Sequence, residues 1–166
     1  FETADYTDYA ASPQAAAHIP GVIRMTGAHN CVIDDCEIRT VGFYPIAMHN
    51  GCIGNHVVRN YFHDIGAGGV KIHASDVADD SPLRSGCNTV SDNHMFKLGR
   101  VFFSGVGILA NHTYNNTLSH NEIHDLYYTG ISCGWAWSYD NTISRDNAIE
   151  KNHIYNLGHG LLSDMG

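Results

Sequence analysis

The sequence predicts an all-β fold, a parallel β-helix of about five coils, from three observations. A pattern of two ladder residues five positions apart, each followed two positions later by an apolar residue, occurs five times. The copies start 24, 33, 28 and 31 residues apart, a spacing typical of solenoids in which each repeat packs on the next. Polar and apolar residues alternate within each copy, which favours short strands with one buried face. The copies begin at Cys31, Asn55, Asn88, Asn116 and Asn147.

Asparagine occupies both ladder positions in four of the five copies. We expect these amides to hydrogen-bond to one another and to the turn backbone from coil to coil. The first copy has Cys31 and Cys36 instead, where we expect small buried thiols to substitute for asparagine. The two columns are Asn55, Asn88, Asn116 and Asn147, and Asn60, Asn93, Asn121 and Asn152.

The chain is predicted to form a single domain over residues 1–166, with residues 1–20 as an irregular segment or partial cap. The sequence stops at Gly166, within the strand of the fifth copy, so we expect a piece of a longer protein or a protomer capped by another chain. An exposed terminal coil presents an unpaired sheet edge. Self-association through uncapped coil ends is therefore one expected contact.

Composition and charge restrict the partners. Nine basic residues against 17 acidic ones give a formal charge of −8, which disfavours nucleic acid and anionic membranes and leaves neutral polymers open. No apolar run is long enough to insert in a membrane. The five cysteines are expected to be free thiols, with a bridge between Cys52 and Cys87 as the alternative.

In most copies a glycine after the last apolar position precedes a further alternating strand, and the outward positions of that strand form columns across the coils. One predicted column is His49, His73, Leu109, Gly134 and Asp164, and the next is Ala47, Lys71, Gly107, Ser132 and Leu162. Small residues in both columns would form the floor of a groove for a chain-like ligand. His49, Lys71 and His73 are accordingly predicted to contact substrate.

Loops beside this face supply further candidates for substrate binding. Aromatic side chains outside a core are suited to stacking against sugar rings, and a tryptophan that covers the edge of a coil is the alternative. The polar insertion 74–86 is either a functional loop or a solvated acidic one. The predicted substrate-binding residues here are Asp76, Arg100, Tyr127, Tyr128, Trp135 and Trp137.

Carboxylates are the expected catalytic groups for a neutral polysaccharide, because one must protonate the leaving oxygen while another acts as base or nucleophile. The predicted pair is Asp125 and Asp164. Asp64 shares a column with Asp125 two coils away, with Lys97 between them, and a surface ladder of alternating charge is the structural alternative. No metal site and no cofactor are predicted: the histidines lack an HExxH spacing, and His49 with His73 is the one pair on adjacent coils that suggests two ligands.

Two longer strings resemble a known family. SGVGILANHTYNNTLSHNEIHDLYYTGISCGWAWSYDN (104–141) and IEKNHIYNLGHGLLSDMG (149–166) are similar to the central part of glycoside hydrolase family 141, and VKIHASD and GRVFFSGVG fit the same relatives. The resemblance covers the chain from about Gly21 onward. It implies a right-handed parallel β-helix, xylanase or α-L-fucosidase activity on plant cell-wall polysaccharide, and an extracellular or periplasmic location. Members are several times longer than this chain.

Two other functions stay open. A polysaccharide lyase would need a basic residue such as Lys71 or Arg100 to take the C5 proton, with Ca²⁺ bound by acidic side chains. The sparse basic residues count against it. A carbohydrate-binding or structural β-helix without catalysis is the other alternative.

Overall fold

The computed structural model describes residues 14–73, 81–134, 139, 141–160 and 162. Within these ranges the chain forms strands of two to five residues after one short 3-10 turn, Gln14–Ala16. No helix in them is long and apolar enough to cross a membrane. The strands are β1 (Gly21–Met25), β2 (Val32–Asp34), β3 (Glu37–Arg39), β4 (Tyr44–Met48), β5 (His56–Val58), β6 (Tyr61–His63), β7 (Val70–His73), β8 (Ser85–Gly86), β9 (Thr89–Ser91), β10 (His94–Phe96), β11 (Ile108–Asn111), β12 (Thr113–Tyr114), β13 (Thr117–Ser119), β14 (Glu122–His124), β15 (Ile131–Gly134), β16 (Ala148–Glu150) and β17 (His153–Tyr155).

The strands stack into parallel sheets that run along the coils. Sheet 1 has the order β2-β5-β9-β13-β16, sheet 2 β3-β6-β10-β14-β17, and sheet 3 β1-β4-β7-β11-β15. A narrower strip contains β8 and β12. Every pairing in these sheets is parallel and joins one coil to the next. The predicted parallel β-helix is therefore confirmed.

The bend between sheet 1 and sheet 2 depends on a residue in the left-handed backbone region, immediately before the second ladder position. Its φ lies between 53° and 57° in each copy. Such a conformation is unfavourable for residues other than glycine, and the hydrogen bonds of the ladder residue that follows stabilise the bend. The residues at this position are Asp35, Arg59, Asp92, His120 and Lys151.

The predicted asparagine ladders are confirmed. In the second column, Asn93 Oδ1 accepts hydrogen bonds from the backbone N–H of Asn60 at 2.9 Å and from its Nδ2 at 3.0 Å. Asn93 Nδ2 donates to Val57 O and to Asn121 Oδ1, both at 2.9 Å. The first column repeats this arrangement between Asn55 and Asn88. Each amide therefore satisfies buried backbone groups as well as its neighbouring amide.

The two cysteines of the first copy stand in the ladder columns, but they are exposed rather than buried, contrary to the prediction. Cys36 Sγ donates to Asp34 O at 3.2 Å, and its backbone N–H donates to Asn60 Oδ1. All five cysteines lie in the described ranges and are free, which confirms the prediction of unpaired thiols. The expected alternative bridge between Cys52 and Cys87 does not form.

The predicted columns of sheet 3 were wrong by two residues in the third copy. Lys71 pairs with Leu109, and His73 pairs with Asn111. The reason is a column of glycines before this strand: a Cβ on Gly107 would lie only 2.5 Å from Gly130 O. Ile108 pairs with Val70 and Ile131, so Gly107 rather than Gly105 aligns with Gly69 and Gly130, where backbones approach closely.

The core is the continuous interior between the three sheets. It consists of the inward positions of successive strands, which stack apolar side chain on apolar side chain along the coils. Its fully buried large residues include Ile46, Met48, Phe62, Ile65, Ile72, Met95, Leu98, Ile108, Leu118 and Ile123.

Candidate functional site

The outer face of sheet 2 carries a column of stacked rings. His63 and Phe96 stack with centroids 5.1 Å apart, Phe96 and His124 stack at 5.1 Å, and His124 and Tyr155 stack at 4.6 Å. The parallel register produces this column, because His63, Phe96 and His124 are aligned on neighbouring strands. Stacking holds the imidazole of His124 in one orientation.

A second column beside the rings contains Tyr61, His94 and Glu122. His94 Nε2 lies 2.9 Å from His124 Nε2 and 3.9 Å from Glu122 Oε2. Tyr155 Oη donates a hydrogen bond to Glu122 Oε1 at 2.9 Å. Two imidazoles and a carboxylate therefore meet on adjacent coils.

Asp125 follows β14 in the left-handed region, with φ of 57°. This conformation turns its carboxylate back towards neighbouring side chains. His124 Nδ1 lies 3.0 Å from Oδ2, and Asn156 Nδ2 donates to Oδ1 at 3.2 Å. His159 Nε2 lies 3.8 Å from Oδ1. Burial opposes ionisation of Asp125, but the hydrogen bonds from His124 and Asn156 outweigh it and lower the pKa of this carboxyl group.

Asp125 lines a cleft of about 360 Å³ at the corner between sheet 2 and sheet 3. Arg100 Nη1 donates to Tyr127 Oη at 2.9 Å, and its guanidinium lies 5.6 Å from the centre of the Tyr127 ring. Phe103 contacts the same ring edge to face at 5.0 Å. The cleft thus combines one carboxylate, an aromatic surface and cationic groups. Its lining residues are Lys97, Arg100, Asp125, Tyr127 and His159.

The structure brings together three of the predicted site residues, Asp125, Arg100 and Tyr127. The predicted column that joins Asp64, Lys97 and Asp125 also exists, since each adopts the left-handed conformation at the end of its strand. Lys97 Nζ lies 3.9 Å from Asp64 Oδ1. The alternating charges are therefore partly a surface ladder, as the structural alternative required.

Lys71 is not a substrate-binding residue, contrary to the prediction. Its side chain is 2% exposed, and Nζ donates to Ala17 O at 2.9 Å and Ile19 O at 2.6 Å. Burial, with a contribution from Arg24, lowers the pKa of Lys71 to about 8. Residues 14–19 lie across sheet 3, so the ammonium group anchors this segment from below.

The same segment removes Tyr128 and Leu109 from solvent. Tyr128 is 4% exposed, and Gln14 Nε2 donates to its hydroxyl group at 2.9 Å. Leu109 packs with Ala15 in a small apolar cluster. The prediction that Tyr128 binds substrate is therefore wrong, because the segment that precedes β1 covers this part of sheet 3.

His49 and His73 do lie together, with ring centroids 6.2 Å apart. They stand at the carboxyl ends of β4 and β7, whereas Arg100 and Tyr127 precede β11 and β15. The pair therefore lies at the other edge of sheet 3 from the Asp125 cleft. Burial, with smaller contributions from Lys71, His73 and Arg24, lowers the pKa of His49 to about 4, so its imidazole is neutral near pH 7. Substrate contact by this pair stays a prediction.

Four predicted site residues lie outside the described ranges: Asp76, Trp135, Trp137 and Asp164.

The sequence did not predict that Lys97 and His159 line the cleft, or that His94 and His124 contact each other. The signal was present, because His94 and His124 are both outward positions of the same strand in consecutive copies. The two histidines belong to neighbouring columns, so their contact does not show when each column is considered by itself.

The model of the family described as "Right handed beta helix region" matches residues 20–164. A solved structure named "Glycoside hydrolase" has a similar fold, with a TM-score of 0.73 and 20% sequence identity. The similarity covers 83% of this chain and 25% of that chain, so this chain spans about a quarter of that protein's length. At this identity the likeness shows the fold alone. Comparison with curated proteins finds no match.

Proposed function

We propose that the Asp125 cleft binds a glycan for hydrolysis of its O-glycosidic bonds. The premise is that the chain belongs to the right-handed beta helix family. The observation that carries the proposal is the combination of a hydrogen-bonded carboxylate and an exposed aromatic surface in one cleft. Asp125 accepts hydrogen bonds that favour its ionised form, which suits a base or nucleophile. The fold shared with a protein named a glycoside hydrolase supports the same chemistry.

The finer proposal is that the glycan is a plant cell-wall polysaccharide of the xylan or fucosylated pectin type, and that the protein acts in an extracellular or periplasmic space. Asp164 is proposed as the partner acid. Tyr127 offers a ring against which a sugar can stack, and Arg100 holds that ring in place while leaving donors for sugar hydroxyl or carboxylate groups.

Asp125→Asn tests the proposal in the chain and in any longer protein that contains it. We expect reducing-end release from the responsive polysaccharide to fall by about 10²–10⁴-fold, the range for loss of one acid–base group. Asp92→Asn is the matched control, because Asp92 has the same φ of 57° and also lies beside a histidine, His120. Equal activity of Asp125→Asn and the wild type would contradict the proposal. Binding without cleavage by the wild type would favour the non-catalytic alternative.

A polysaccharide lyase is the second candidate, because Lys97, Arg100 and His159 surround Asp125 and suit a sugar carboxylate. Lys71 is excluded as its base by burial, which leaves Arg100. Polygalacturonate is the discriminating substrate: unsaturated products that absorb ultraviolet light would support the lyase, and saturated products the hydrolase.

A further inference from the structure

We propose that His94, Glu122 and His124 form a binding site for a divalent transition metal ion of the Zn²⁺ type on the outer face of sheet 2. One donor atom from each residue lies within 4.8 Å of the other two. His94 belongs to β10, and Glu122 and His124 belong to β14, so the ion would join two successive coils. This proposal does not depend on the glycan function, and it replaces the expectation that the chain holds no metal.

The distances between donor atoms suit one ion. With metal–nitrogen bonds of about 2.0–2.1 Å, a tetrahedral site needs imidazole nitrogens about 3.3 Å apart. His94 Nε2 and His124 Nε2 are 2.9 Å apart, so a small side-chain rotation opens the pair to that geometry. Glu122 Oε2, at 3.9 Å from His94 Nε2, needs a shift of similar size.

The hydrogen bonds around the cluster orient its lone pairs inward. An ionised carboxylate can only accept, so His124 donates from Nδ1 to Asp125 and leaves Nε2 with a lone pair. Without an ion, His94 then donates its Nε2 proton to His124. A change of tautomer in His94 frees its lone pair for the metal without any net loss of a proton from the protein.

Each of the three ligand side chains is also held by neighbouring residues, as is typical of metal sites. Asp125 positions His124, and Tyr155 donates to the Glu122 oxygen that points away from His94. Tyr61 contacts the His94 ring edge to face at 4.9 Å, and Phe96 stacks on His124 at 5.1 Å. Carboxylate–histidine and hydroxyl–carboxylate contacts of this kind fix ligands before the ion arrives.

The donor set selects the class of metal. Two imidazole nitrogens and one carboxylate oxygen suit Zn²⁺, Co²⁺, Ni²⁺ or Cu²⁺, whereas Ca²⁺ and Mg²⁺ prefer oxygen ligands throughout. The side chains of His94 and Glu122 are 32% and 44% exposed. Solvent therefore reaches the site, and the remaining coordination position is open to water or to a hydroxyl group of a bound molecule.

Calorimetric titration with ZnCl₂ at neutral pH tests the site, with CaCl₂ titrated in parallel. We expect one equivalent of Zn²⁺ to bind saturably and Ca²⁺ to bind at least 100-fold more weakly. His94→Ala, His124→Ala and Glu122→Gln should each weaken Zn²⁺ binding by tenfold or more. His120→Ala is the matched control, because His120 is a surface histidine beside a carboxylate, Asp92, with its side chain 50% exposed, and its Zn²⁺ affinity should stay within twofold of the wild type.

Titration with Co²⁺ provides a second measurement, because its absorption bands report the coordination of the metal directly rather than the folding of a variant. Visible absorption bands of a tetrahedral Co²⁺ site should appear in the wild type and in His120→Ala and be lost in His94→Ala. His94→Gln, which keeps a polar side chain, replaces the alanine variant if circular dichroism shows that the latter is unfolded. Absence of saturable Zn²⁺ binding in the wild type, or equal weakening by His120→Ala and His94→Ala, would overturn the proposal.

Discussion

Replacing Asn93 by alanine isolates the contribution of one rung of the asparagine ladder. Asn93 is 1% exposed and lies between Asn60 and Asn121 in the middle of the column. Its amide makes four hydrogen bonds, two as acceptor from Asn60 and two as donor to Val57 O and Asn121 Oδ1. Alanine keeps the Cβ and removes all four side-chain hydrogen bonds, so the backbone trace is preserved while its partners each lose a contact.

The expected loss of stability follows from the hydrogen bonds that the variant cannot make. The Asn60 backbone N–H loses its side-chain acceptor, and Asn60 Nδ2 and the Val57 carbonyl each lose one hydrogen bond. Asn60 Nδ2 still donates to Ile33 O, and Asn121 Oδ1 still accepts from the backbone N–H of residue 93. A buried unsatisfied polar group costs about 1–3 kcal/mol. Because local relaxation recovers part of this, we expect the free energy of unfolding to fall by about 3–5 kcal/mol.

Urea unfolding followed by circular dichroism measures this difference, and an unchanged m-value shows that the unfolded state is the same. Cys36→Ala is the control in the same column: its exposed thiol makes one contact, with Asp34 O, and its loss should cost less than about 1 kcal/mol. If both variants lost the same stability, the ladder would not act through buried hydrogen bonds, and the reasoning would fail.

Two further predictions concern buried groups. Folding lowers the pKa of Lys71 from 10.5 to about 8, so between these pH values the unfolded chain holds a proton that the folded chain has released. The stability of the wild type relative to Lys71→Met should therefore rise by up to about 3 kcal/mol from pH 8 to pH 10.5 in denaturant titrations; a flat difference would contradict a buried ammonium group. Cys52 is fully buried, and burial raises the pKa of its thiol, whereas Cys31, Cys36, Cys87 and Cys133 are exposed. A thiol reagent should modify the four exposed cysteines in the native protein and Cys52 only after unfolding, and rapid native modification of Cys52 would refute its placement.

Most of the fold was predictable because every coil of a solenoid repeats the same local pattern of turns and strands. Each copy places a left-handed residue before a ladder residue and an apolar residue two positions after it, and stacking then follows from adjacent copies. The error in the third copy arose where this local rule was ambiguous. Gly105 and Gly107 both precede an apolar residue and both lie against the backbone of a neighbouring coil, and only the pairing of Ile108 with Val70 places Gly107 in the glycine column.

The candidate site was less predictable. Asp125, Arg100 and Tyr127 could be selected by residue type, and the corner between two sheets brings them together. Lys71 and Tyr128 have equally suitable types but lie beneath residues 14–19. The repeat pattern does not indicate where a non-repeating segment crosses a sheet. The burial of Lys71 and Tyr128 could therefore not be predicted from the repeats.

The sequence by itself determined the coil, the two ladders and the alternation of inward and outward side chains, because each depends on contacts between equivalent positions of neighbouring repeats. The tertiary structure alone decided which outward residues meet solvent and which meet one another. Contacts across different columns, such as His94 with His124, and across different segments, such as Lys71 with Ala17 and Ile19, depend on side-chain direction and chain path. Neither kind of contact is periodic, and contacts across columns define both the Asp125 cleft and the proposed metal site.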